Sequence, residues 1–263
     1  MKVHHLNLLS MCPMLGPWLS PFRMVTHCLV VETEKGLVVV DTGVSRLDLE
    51  DRSRLGRLFH AVIAPDPTSQ PLIEQIRALG LSERDVRSIL LTHLDLDHAG
   101  GLQDFPDAEV HLLSDELQAA MAQRSLPDRT RYKPVQWGHS PKWVKHERTS
   151  AQTWKNFEGV LPLDRLGAPI VLVPMIGHTD GHCGIAIEET PGQWLLHAGD
   201  AYYDRSEIDD RPLQGTARIL HLFGTNMAAQ RHKWKENQER LRTLVASEPS
   251  VRVISSHDAS EFD

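Results

Sequence analysis

Four times along the chain an apolar run ends in histidine or aspartate. Val86 to Leu91 leads into Thr92-His93-Leu94-Asp95-Leu96-Asp97-His98-Ala99-Gly100-Gly101. Ile170 to Pro174 leads to Gly177-His178, Trp194 to Ala198 to Gly199-Asp200, and Val251 to Ser255 to Ser256-His257. Aliphatic and β-branched runs of this length read as strands. Polar side chains at strand ends stand on a rigid frame at one rim of a sheet, where groups from distant parts of the chain can assemble. A fold that turns four strands toward a common rim is the simplest way to use this pattern, and a metal site is the economical reason for it.

The donor set narrows the chemistry. Imidazole with carboxylate suits zinc, iron, manganese or cobalt, whereas magnesium or calcium would not need so many histidines. A lone histidine such as His178 or His257 is ordinarily a surface or hydrogen-bonded one. The 92–101 segment is different. Read as extended chain, it places His93, Asp95 and Asp97 on one side by the period of two, with Leu94 and Leu96 anchoring the other. Two carboxylates that close repel each other unless a cation or proton intervenes, and His98 stands beside them.

The rest of the sequence sets bounds. With 263 residues, 41% hydrophobic and 24% charged, the profile is that of a soluble globular protein. The formal charge of −7 advertises no nucleic-acid partner. Cys12, Cys28 and Cys183 form no CxxC pattern, so a reducing, cytoplasmic setting is expected. Met1 to Ser20 has no signal-peptide pattern, and no apolar run reaches the ~18 residues of a membrane span. Further along, Val25 to Glu32 and Gly36 to Asp41 read as a hairpin, Ser69 to Leu79 and Ser114 to Ala122 as helices, and Met227 to Val245 as one long helix. Residues 123–157, with Tyr132, Trp137, Trp143 and Trp154, read as an ordered excursion, a lid or interface. Trp137 or Trp143 is expected near the substrate pocket.

These motifs resemble the metallo-β-lactamase superfamily of hydrolases, whose signature is His-x-His-x-Asp-His followed by a Gly-His histidine, a post-strand Asp and a final His. The chain offers His93, Asp95, Asp97, His98, His178, Asp200 and His257 in that order. The resemblance spans nearly the whole chain. It implies an α/β fold, a four-layer αβ/βα sandwich of two similar halves in a single domain over 1–263. It also implies two divalent metal ions, with His93, Asp95 and His178 on one, Asp97, His98 and His257 on the other, and Asp200 bridging. Asp41 would orient a ligand and His182 would stabilise a loop.

One position departs from the pattern: Asp95 stands where the family has its second histidine. By formal charge this lowers the site by one unit, which moves the expected metal from zinc, the family's usual ion, toward iron or manganese. Restoring histidine at 95 is expected to be tolerated.

Within the superfamily the resemblance is to N-acyl homoserine lactonases and their quorum-quenching relatives. They share the His98-Ala99-Gly100-Gly101 continuation and a tyrosine three residues after the bridging Asp, here Tyr203. Met11 to Phe22 would line an acyl-chain wall. The implied activity is a metallohydrolase that uses a metal-activated hydroxide to open a lactone or cleave an ester of a small, largely neutral substrate. Tyr203 and Asp97 would take part in the chemistry. The rivals are a thioester hydrolase resembling glyoxalase II, for which Arg124, Arg129, Arg131 and Lys133 would be the anion-binding patch, and a di-iron redox enzyme. A homodimer is left open.

Overall fold

Aliphatic side chains alternate along nearly every long strand, and the alternation decides which way each sheet faces. The computed structural model describes residues 1–11, 24–51, 53–56, 59–60, 66, 68–149, 151–209 and 211–262. A first sheet has six strands in spatial order: β1 (Lys2–Asn7), β2 (His27–Thr33), β3 (Gly36–Val40), β4 (Val86–Leu90), β5 (Glu109–Leu113) and β6 (Lys142–His146). The β1 to β3 pairings are antiparallel and the β3 to β6 pairings parallel. After the ribbon β7 (Thr153–Trp154) and β8 (Phe157–Glu158), a second sheet runs β9 (Leu161–Pro162), β10 (Ile170–Pro174), β11 (Cys183–Thr190), β12 (Gln193–His197) and β13 (Val251–Ile254). Only its β12–β13 pair is parallel.

Helices α1 (Arg46–Glu50), α2 (Leu72–Ala78), α3 (Ser114–Ala122), α4 (Leu126–Arg131), α5 (Gly215–Met227) and α6 (Arg231–Ser247) accompany the sheets. Leu29, Val31, Val38, Val40 and Leu90 pack against Ile170, Leu172, Ile185, Ile187 and Leu195 between the sheets. Their neighbours Val30, Val39, Ile89 and Val110 turn outward onto Leu72 and Ile76 of α2. On the far side Val171, Val173, Ala186 and Val253 meet Leu241 and Leu244 of α6. Each buried aliphatic side chain contributes roughly 1.5–3 kcal/mol, so a one-residue slip in any strand would forfeit several at once. The outcome is the expected αβ/βα sandwich. Among the described residues no helix is long and apolar enough to cross a membrane.

Two local expectations change. The long helix expected from Met227 starts four residues later: Met227 is the last residue of α5, and α6 runs from Arg231 to Ser247. The link is bent because Ala229 and Gln230 donate their amides to the carbonyls of His178 and Gly177. Lys142–His146, inside the expected excursion, is an edge strand paired in parallel with β5. The helix expected over Ser114–Ala122 is α3, with Leu113 in the cap position.

Both sheets deliver their polar loops to one rim. Asp41 follows β3, Thr92 to His98 follow β4, His178 follows β10, Asp200 follows β12 and His257 follows β13. Two glycines let loops close on this rim. A Cβ at Gly177, whose φ is +147°, would sit 2.4 Å from the Trp234 nitrogen, and one at Gly181 would sit 2.2 Å from the Glu116 nitrogen.

Candidate metal centre

The rim gathers the expected residues into two clusters. His93, His178 and Asp200 form one, and Asp97, His98 and His257 the other, each with ligand atoms within 4.8 Å of one another. Asp200 lies between them. Its Oδ1 is 3.3 Å from His98 Nε2, and its Oδ2 is 3.1 Å from His257 Nε2 and 3.5 Å from His178 Nε2. Asp95 joins the first cluster, with Oδ2 3.0 Å from His178 Nε2 and 3.5 Å from His93 Nε2.

Asp97 does not share a side with His93 and Asp95. The Asp95 carbonyl accepts the amides of His98 and Ala99, so the chain turns after Asp95 and the strict alternation stops. That turn sends Asp95 to the His178 end and Asp97 to the His257 end, 3.8 Å from His257 Nε2.

Hydrogen bonds behind the cluster set the histidine tautomers. Asp41 Oδ2 accepts from His98 Nδ1 at 2.9 Å and from the Thr92 hydroxyl at 2.7 Å. With its proton on Asp41, Thr92 Oγ1 accepts from His93 Nδ1, 2.9 Å away. His257 Nδ1 donates to the Val25 carbonyl at 2.7 Å. Each arrangement turns Nε2 of His93, His98 and His257 inward, the nitrogen that ligates a metal once any proton on it is displaced. His182 instead uses both nitrogens, donating from Nδ1 to the Met175 carbonyl and accepting the Asp200 amide on Nε2 at 2.9 Å. It supports the loop and has no lone pair to spare.

Two supporting residues were not evident from sequence. Buried Glu116, near the start of α3, accepts the Leu94 amide at 2.9 Å, the Thr179 hydroxyl at 2.6 Å and the Gly181 amide at 3.0 Å. It thereby ties the 92–98 loop to the 178–182 loop. Buried Glu207 accepts the Tyr203 amide at 2.9 Å and the Gln238 side chain at 2.8 Å, fixing the turn that carries Tyr203. An acidic residue early in a helix ordinarily signals a favourable end-dipole interaction, which conceals a role of this kind.

A cavity of about 330 Å³ opens onto the cluster. Met11, Met24, Leu55, Phe59, Leu96 and Phe223 supply much of its wall, while Asp95, Asp97, Asp200, Tyr203 and His257 face it from the rim. Of the expected acyl wall, Met11 is there, and residues 12–22 lie outside the described residues. From the 123–157 stretch it is Thr130, Arg131 and Lys133 that reach the cavity. Trp137 is buried in the core outside the first sheet with Trp143 packed against it, so neither indole lines the pocket. The first sheet offers both rings apolar contacts that outweigh exposure at a rim.

Tyr203 is buried, donates its hydroxyl to Asp200 Oδ2 at 3.0 Å, and stacks its ring on His257 at 5.3 Å and 9°. Burial and the Asp200 and Asp95 carboxylates hold its phenol well above the usual range, so it remains a donor. Tyr202 points the other way, to the Glu261 carboxylate at 2.9 Å.

The site is electrostatically unfinished without cations. His93 Nε2, His98 Nε2 and Asp200 Oδ1 are buried without a hydrogen-bond partner, an arrangement that is expensive unless something binds them. Burial alone would lower the pKa of His98, yet Asp200, Asp97 and Asp41 push it up to about 10. His257 is raised likewise by Asp200 and Asp97 against its burial. Protons therefore occupy the metal-free site at neutral pH, and a metal must displace them. Zinc added to metal-free protein at pH 8 in weak buffer is expected to release about one proton or more per chain, with affinity rising toward pH 10. An indicator-dye titration showing no release would contradict this arrangement.

The profile of the metallo-beta-lactamase superfamily matches residues 22–257. The chain belongs to that superfamily. A probable metallo-hydrolase of Mycobacterium tuberculosis is 36% identical to this superfamily member over 258 residues, covering 98% of this chain and 80% of that protein. An N-acyl homoserine lactonase of Bacillus thuringiensis is 26% identical over 240 residues, covering 89% and 81%. A solved N-acyl homoserine lactone hydrolase, with N-hexanoyl-L-homoserine at its catalytic metal centre, has a TM-score of 0.69 at 20% identity and covers 99% of this chain and 94% of its own. A dizinc quorum-quenching lactonase has a TM-score of 0.60 at 16% identity, covering 90% and 74%. The protein is a metallo-hydrolase, and members of its superfamily typically hold two divalent metal ions at this rim.

Proposed function

We propose that this metallo-hydrolase opens a lactone, or cleaves an ester, of a small, largely neutral substrate with an apolar acyl part. The observation that carries the reading is the coincidence of a buried His/Asp cluster with an apolar cavity and a neutral tyrosine hydroxyl at their junction. Named lactonases among its relatives, and a product held at the metal centre of one of them, support it.

His93, Asp95 and His178 would hold one cation, Asp97, His98 and His257 the other, and Asp200 would bridge. Two divalent cations, when bound, supply an acidified water and a Lewis acid for the carbonyl. Zinc is the proposed ion, with iron or manganese as rivals because of Asp95. The protein's own part is to place the substrate. Methionine, leucine and phenylalanine side chains remove the acyl group from water, and the Tyr203 hydroxyl, now donating to Asp200, is the donor for an oxygen that becomes negative. Cys183 is no nucleophile: it is buried, its thiol faces the Leu91 and Thr92 carbonyls, and burial pushes its pKa well up.

The thioester reading needs an anion-binding patch. Of its four candidates, Arg124 and Arg129 are exposed and Arg131 is turned to Asp95, which leaves Lys133 at the cavity wall. One cation suits a substrate with a single polar end better than a polyanionic carrier. The test is a rate panel of acyl-homoserine lactones, open-chain esters and thioesters, together with elemental analysis of protein purified without added metal. Lactones or esters should show the highest kcat/KM, abolished by a chelator and restored by zinc. A preference for thioesters, or redox activity with iron and no ester hydrolysis, would replace this reading.

A further inference from the structure

Arg131 is the one cation that turns its side chain into the metal rim from α4, and it is buried at 7% exposure. Its Nε lies 3.4 Å from Asp95 Oδ1. Its Nη1 donates to the His178 carbonyl at 2.8 Å and its Nη2 to the Met227 carbonyl at 2.6 Å. Asp95 is thus divided: Oδ1, buried without a hydrogen-bond partner, is ion-paired with the guanidinium, and Oδ2 lies toward His178 and His93. A guanidinium cannot shed its proton in a protein, so this charge is permanent.

With three carboxylates and one hydroxide, two divalent cations are formally neutralised. A histidine at position 95 would leave one positive charge over, and Arg131 supplies that same charge beside Asp95. We propose that Asp95 and Arg131 together do the work of one neutral ligand: Asp95 offers a single oxygen to the cation, and Arg131 holds the other oxygen and balances its charge. The proposal rests on the two-cation reading of this rim. Arg131 is a positioning residue, acting through Asp95, and it changes the expectation for histidine at 95. Alone, that substitution strands a buried guanidinium next to two cations.

Charge balance ranks four proteins by zinc affinity. The parent and the double variant Asp95→His/Arg131→Gln carry the same charge at this position and should bind alike, within about threefold. Asp95→His carries one positive charge more and should bind one zinc about tenfold or more weakly, while Arg131→Gln carries one fewer and should bind it about tenfold or more tightly. A residue that merely packed α4 against the rim would give the opposite sign for Arg131→Gln, because a loosened Asp95 weakens zinc.

The experiment is competition of metal-free protein with a chromophoric chelator for zinc, the fold of each variant being checked by near-UV circular dichroism. A parent that takes up fewer than two zinc ions would refute the two-cation reading itself. With two bound, an Asp95→His variant that binds as the parent does, a double variant no better than that single, or an Arg131→Gln variant that binds more weakly each overturns the pairing. Should Asp95→His fail to fold, the sign for Arg131→Gln decides.

Discussion

Replacing Tyr203 with phenylalanine should lower kcat and kcat/KM together by about 10²–10³, which is roughly 2.7–4 kcal/mol of lost transition-state stabilisation. The substitution removes one hydroxyl and keeps the ring that stacks on His257 and meets Phe223 edge-on. Zinc content should therefore stay at the parent level. Tyr202→Phe is the control, because its hydroxyl lies on Glu261, away from the cavity. A Tyr203→Phe enzyme that turns over its best substrate at the parent rate would make the tyrosine a packing residue and remove the main donor from the proposed chemistry.

Asp41→Ala should damage both stability and metal binding. Asp41 is fully buried and accepts from the Thr92 amide, the Thr92 hydroxyl and His98 Nδ1. Each buried group left bare costs roughly 1–3 kcal/mol. The same loss frees the tautomers of His93 and His98, and removal of such an orienting carboxylate typically weakens metal affinity or activity about 10–100-fold. Asp41 also sits at φ +57°, a conformation that asparagine tolerates better than alanine. Asp41→Asn should therefore keep more of the melting temperature while still weakening zinc. If zinc affinity is unchanged in both variants although melting falls, Asp41 supports the turn alone and has no bearing on the ligands.

The strand ends were legible because they are local. Val86–Leu90 and Val251–Ile254 alternate in a period that any short window reveals, and His93 and His257 follow within a few residues. The 92–98 loop was legible as a candidate metal-binding segment but not in its geometry. Two amides on one carbonyl, that of Asp95, convert an extended strand end into a turn and place Asp97 on a different neighbour from Asp95. The long helix was legible but its start was not, for a comparable reason: carbonyls of Gly177 and His178, far away in sequence, take the amides of Ala229 and Gln230 and bend the chain ahead of Arg231.

By itself the sequence determined the residue types, the order of the strands' polar ends and the faces on which aliphatic side chains alternate. These follow from steric and hydrophobic preferences acting over a few residues. Only tertiary structure decided who stands behind the candidate ligands. Glu116 reaches groups 22, 63 and 65 residues distant, and Arg131 reaches carbonyls 47 and 96 residues away. Burial makes each of those contacts matter, since a carboxylate or guanidinium withdrawn from water must find its partners wherever the packed sheets bring them. No local pattern in an arginine-rich helix end announces that its last residue will face an aspartate across the rim.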